Sequence, residues 1–94
     1  MYNYDIIEEA RRNNLLFLLS NKGLFPYIKN DVIFIRHRTK IVFRKNVSDF
    51  GVNDVSDILG ISIVDSVYAY YFLDIARDNG ASMKSYSKKK SLGL

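Results

Sequence analysis

Apolar positions change their spacing twice along the chain, and the changes divide it into a helix, a β segment and a pair of helices. Residues 5–21 carry the first helical pattern. Asp5 and Glu8 stand at capping-box separation, with Asp in the place of Ser or Thr, and Gly23 follows where a left-handed C-terminal residue belongs. Ile6, Ala10 and Phe17 fall on one side of this helix with Asn13, and Ile7, Asn14 and Leu18 lie beside them. The run Leu15-Leu16-Phe17-Leu18-Leu19 is apolar all round, which asks for cover on more than one side, from the rest of the domain or from another chain.

The next tract is rich in β-branched and aromatic residues and predicts two or three antiparallel strands, at 27–28, 32–36 and 40–44. Lys29-Asn30-Asp31 supplies a turn, whereas Arg36-His37-Arg38-Thr39 lacks the Gly or Asn that a tight hairpin prefers. Alternation sets Ile33 and Ile35 against Phe34 and Arg36, and Ile41 and Phe43 against Val42 and Arg44. One face is therefore expected to be buried and the other only partly polar.

After a loop around 46–53 with a turn at Gly51, Asn53 is placed to cap a short helix that Gly60 ends. Ser62 is then placed to cap a longer helix over residues 63–78, closed by Asn79-Gly80. Residues 81–94 offer little to bury and read as a flexible basic tail. The expected fold is α+β: an N-terminal helix, a two- or three-stranded antiparallel hairpin or meander, then a short helix-turn-long helix, in a single domain over residues 1–80.

Composition fits an ordinary globular chain with one core: 48% of 94 residues are apolar and 26% charged, with one proline. The absence of cysteine removes disulfides and thiolate metal sites. The first residues carry acid and no basic n-region, and the longest apolar runs fall far short of the roughly 20 residues of a membrane span. A soluble, cytoplasmic chain is expected. Ile, Lys, Asn, Tyr and Phe together make up 39 residues, and their codons are AT-rich, as suits a virus or other mobile element.

Charge is segmented. Residues 29–45 hold six basic residues against Asp31, residues 46–83 hold Arg77 against six aspartates, and residues 84–94 hold four lysines and no acid. A basic block of this kind attracts phosphate, an acidic lipid surface or an acidic protein, or is simply the solvated face of a hairpin. The pattern Val55-x-x-Ile58-Leu59-Gly60-Ile61-Ser62 followed by a helix resembles a helix-turn-helix unit, with an apolar first helix, a glycine in the turn and a capping serine. The following helix makes a poor recognition helix, because Asp65, Asp74 and Asp78 face only Arg77. Its core stripe is expected at Val64, Val67, Tyr68, Tyr71 and Ile75. The opposite face, Asp65, Ser66, Ala69, Leu73, Ala76 and Arg77, suits another helix in a homodimer or a protein partner, or is buried within the same domain.

Catalytic material is scant. His37 lies between Arg36 and Arg38, whose charges disfavour its protonated form, and Asp54 and Asp57 have a sufficient role at a helix N-terminus without a metal. No phosphate loop, His pair or nucleophile motif is present, so neither an enzyme nor a cofactor is expected. The function expected is a small regulatory protein binding DNA or RNA through a basic hairpin, with Arg36, His37, Arg38, Lys40, Arg44 and Lys45 at the contact and Lys88, Lys89 and Lys90 adding attraction. The alternative is a protein-interaction module, such as a viral or mobile-element regulator, whose basic strip takes an acidic segment of a host or viral protein. Both readings assume that the cations flanking His37 form one ridge.

Overall fold

The computed structural model describes the backbone of residues 4–91 and the side chains of residues 6–83. Its order is α1 (Tyr4–Lys22), β1 (Leu24–Lys29), β2 (Val32–His37), β3 (Lys40–Asn46), α2 (Val52–Leu59) and α3 (Val67–Ser91), the α+β arrangement that the sequence predicts. Gly23, at φ 67°, ends α1, and its N–H donates to the Ser20 carbonyl at 3.0 Å.

The three strands form an antiparallel meander in the order β1-β2-β3. Lys29 pairs with Val32, so Asn30-Asp31 is a two-residue loop, and both residues take left-handed φ values of 52° and 61°. That is the loop geometry matching strand twist, and Asn and Asp tolerate it best after glycine. The second loop is also two residues, although its sequence lacks the usual turn chemistry: His37 pairs with Lys40, and Arg38 is held at φ 58°.

A bulge alters β3. Ile35 pairs with Phe43 but Arg36 pairs with Ile41, which leaves Val42 as the extra residue. The expected inward partnership of Ile41 with Phe43 is thereby broken. Ile41 and Val42 are 48% and 55% exposed.

The core lies between the sheet and the helices. Ile33 and Ile35 from β2 are completely buried, as are Val55 of α2 and Phe72 of α3, with Leu15 and Leu19 of α1 nearly so. Phe50 lies 5.3 Å from Phe72 and meets Phe43 edge-on at 6.0 Å, closing the core beneath β3. Only one side of the 15–19 run is covered: Leu15 and Leu19 turn inward, while Phe17 stays 66% exposed.

α3 covers the outer edge of β1. Pro26 has no N–H to give to a ladder, and its carbonyl accepts Asn79 Nδ2 at 2.8 Å. Beside it Gly80 packs so closely that a Cβ there would meet the Ile28 carbonyl oxygen at 2.4 Å. Asn79-Gly80 is therefore a contact point inside a helix that runs on to Ser91, and the expected helix stop at this pair is corrected. The helix starts are corrected as well. α2 is capped at Gly51 rather than Asn53, with the Asp54 carboxylate accepting the Gly51 N–H at 2.9 Å. Ser62 caps nothing: the chain stays irregular to Ser66, the Ser56 hydroxyl bridges the N–H and C=O of Ile63, and Asp65 accepts the Val67 N–H where α3 begins. Gly60, at φ 68°, does end α2.

Candidate nucleic-acid interface

Because side chains alternate along a strand, turning Ile33 and Ile35 into the core turns Phe34 and Arg36 out. The register then sets the outer face in three rows across the strands: Phe25, Arg36 and Ile41; Tyr27, Phe34 and Arg44; Lys29, Val32 and Asn46. No acid stands in any row.

The middle row is a ladder of flat groups. Tyr27 and Phe34 stack across β1 and β2 with centroids 5.3 Å apart and planes 18° from parallel. The Arg44 guanidinium carbon lies 5.9 Å from the Phe34 centroid. In the first row the Arg36 guanidinium carbon lies 5.1 Å from the Phe25 centroid, and Phe25 sits 6.1 Å from Tyr27. Both guanidiniums thus rest on rings, which is the cation–π geometry. Among the described residues no carboxylate forms a salt bridge with Arg36, Arg38, Lys40 or Arg44.

The single ridge expected around His37 is not what the fold builds. Arg36 and Arg44 share the outer face, and Arg38 stands exposed at the β2–β3 loop. His37 and Lys40 pair with each other on the opposite parity, and the His37 ring lies beside Gly23. Lys45 also leaves the outer face, since it pairs in register with Ile33. Its ammonium donates to the Asp54 carboxylate at 2.9 Å, which ties β3 to the start of α2. This hydrogen bond raises the Lys45 pKa against the opposing effect of burial. Burial pushes the Asp54 carboxyl up, but the Lys45 ammonium and the Gly51 N–H outweigh it and hold the group below its ordinary value. The side chains of Lys88, Lys89 and Lys90 lie outside the described residues.

The helix face expected to meet another chain is largely interior. Ala69 and Leu73 are 8% exposed and Ala76 is completely buried, because α3 is packed by the sheet on one side and by α1 and α2 on others. Asp65, Ser66 and Arg77 alone remain exposed from that set. Val64, expected in the core stripe, is 89% exposed, since α3 begins three residues beyond it. Ion pairs dress the outside of the helical layer: Arg12 reaches Asp78, Arg11 lies 3.9 Å from Asp65, and Arg77 lies 3.7 Å from Asp74. Residues 60–66 separate α2 from α3, longer than the three or four residues of a helix-turn-helix, and the resemblance to that motif ends there. An apolar groove of about 500 Å³ opens between α1 and this connection, lined by Phe17, Leu18, Ile61, Val64 and Tyr68.

No protein-family model, no curated protein and no solved structure matches the chain. Among the described residues no helix is long and apolar enough to cross a membrane, and no group of three or more His, Asp or Glu residues could hold a metal ion.

Sequence reasoning missed Phe25, Tyr27 and Lys29 as members of the outer face and did not single out Phe34 or Phe43 as contact residues. The fold separates the last two, with Phe43 inward against Phe50 and Phe34 outward under Arg44. The signal was the alternation itself: Phe25-x-Tyr27-x-Lys29 has the same two-residue period as Phe34-x-Arg36.

Proposed function

We propose that this is a small nonenzymatic regulatory protein of the cytoplasm that binds nucleic acid through the outer face of its sheet. One observation carries the reading: Arg36 and Arg44 lie over the rings of Phe25 and Phe34 on a face without acid, and among the described residues no carboxylate forms a salt bridge with either. Phosphates attract such guanidiniums, and the arginine's planar fork suits phosphate oxygens better than a lysine's point charge. Lys29 at the far row and Arg38 at the loop extend the positive surface to both ends. Lys45, held by Asp54, ties β3 to α2 and takes no part in the contact.

Salt titration tests the proposal. With Lys29, Arg36, Arg38 and Arg44 neutralising phosphates, log K should fall against log salt with a slope of about −3 on a single strand and about −4 on a duplex. Arg36→Ala with Arg44→Ala should flatten the slope by about two. Failure to bind any DNA or RNA at low salt overturns the proposal. Preference for an acidic polypeptide would favour the protein-interaction alternative.

A further inference from the structure

The outer face offers more than positive charge. Strands lie about 4.8 Å apart and rise about 3.4 Å per residue, so its three rows cover roughly 14 by 10 Å. Nucleic-acid-binding sheets use surfaces of this kind to stack about two or three bases on aromatic rings. Phe25, Tyr27 and Phe34 are neither sunk beneath a helix nor fully free; they are partly exposed and held in place by one another. A sheet gains some stability from a cross-strand aromatic pair, which would account for Tyr27 against Phe34. It does not account for guanidiniums laid over two of the three rings with no carboxylate among the described residues in a salt bridge with them.

Resting on the nucleic-acid reading, we infer that this face takes single-stranded nucleic acid, with unpaired bases stacking on Phe25, Tyr27 and Phe34 while Arg36 and Arg44 hold the adjoining phosphates. Stacking of a base on an aromatic ring is stronger than an exposed guanidinium–ring contact. An arriving base therefore displaces the guanidinium and releases it to the phosphate of the same or the next nucleotide. A duplex cannot use the rings, because its bases already stack on one another and it presents only phosphates to a flat face. An acidic peptide satisfies the arginines but brings no flat π surface for the rings. Bases have such a surface whatever their identity, so little sequence preference is expected.

The test is fluorescence anisotropy on the full chain with labelled oligouridine and oligothymidine of about 12 nucleotides, the matching duplexes and polyglutamate, all at one salt concentration. The single strands should bind about tenfold or more tightly than the duplexes, and comparison of the RNA and DNA strands assigns the sugar. Tyr27→Leu with Phe34→Leu keeps apolar bulk on the strands, and should weaken single-strand binding about tenfold for each stack lost while leaving duplex binding unchanged. Tyr27→Phe should bind like the parent. The preference of the parent protein is itself diagnostic, so the inference stays exposed to test even if the double variant does not fold. Equal affinity for duplex and single strand, or leucine variants that bind like the parent, overturns the inference and leaves the nucleic-acid reading standing. No binding to any oligonucleotide, or a preference for polyglutamate, overturns both.

Discussion

Ile33 and Phe34 are neighbours on β2, yet they belong to two different kinds of surface. Ile33 is completely buried among residues of all three helices, whereas Phe34 stands outside, stacked on Tyr27 and overlain by Arg44. The two faces have a similar apolar content but opposite companions. On the inner face each apolar residue is covered by another; on the outer face the rings are covered by guanidiniums. A hydrophobic surface closed by apolar side chains is a core, and one closed by removable cations is open to exchange with a ligand. That difference is the basis of the functional proposal.

The sharpest way to break the comparison is to truncate both neighbours. Ile33→Ala should cost about 2–5 kcal/mol, through lost burial and the cavity left behind. A domain of this size has a total stability on the order of 5–15 kcal/mol, so the variant should be severely destabilised. Phe34→Ala should cost only about 1–2 kcal/mol, since it removes a cross-strand stack from a partly exposed face. Urea denaturation measures both. Equal costs would mean that the outer face is a second core face, closed to exchange with a ligand.

The helix order and the hairpin were legible in the sequence because their signals are local. Gly23, Asn30-Asp31 and Gly60 each mark a boundary with their own chemistry, and each marks it correctly to within a residue or two. What was not legible depends on contacts between distant residues. Asn79-Gly80 has the composition of a helix end, but Gly80 is there because β1 comes close, and only the packed fold reveals that use. Val42 shows no sign in the sequence of being the bulged residue, so unbroken alternation predicts Ile41 inward where the bulge sets it opposite Arg36 on the outer face. The candidate site suffered for the same reason. Counting cations by block groups Lys45 with Arg44, while the strand's two-residue period sends one to Asp54 and the other to Phe34.

Gly80 also sharpens the contrast between the covered and the open parts of the sheet. An added methyl at this position would meet the backbone of Ile28, which cannot move aside as a flexible side chain could. Gly80→Ala should therefore push α3 off β1 at a steric cost of about 1–3 kcal/mol, partly offset by the roughly 1 kcal/mol that alanine gains in a helix interior. Net destabilisation of up to about 2 kcal/mol is expected, with faster hydrogen exchange at the Ile28 amide on the edge that Gly80 covers. A variant more stable than the parent would show that the close approach does not hold the edge.

The smallest expected effect is the most discriminating, because its two readouts move in opposite directions. Arg38 occupies a left-handed conformation, φ 58°, in a two-residue loop that favours glycine or asparagine there. Its side chain is exposed and forms no salt bridge among the described residues, so nothing in the folded state visibly offsets the backbone strain. Arg38→Gly removes the strain, though glycine also loses more backbone freedom on folding, and the balance should favour the variant by about 1 kcal/mol or less. In a domain of this size that corresponds to a rise in melting temperature of up to about 6 °C. The same substitution removes one cation from the end of the proposed surface, so nucleic-acid affinity should fall and the slope of log K against log salt should flatten by about one. Higher stability with weaker binding would mean that the arginine is retained in a strained position for its charge. If stability instead falls while affinity and salt slope hold, Arg38 supports the hairpin and stands outside the positive surface.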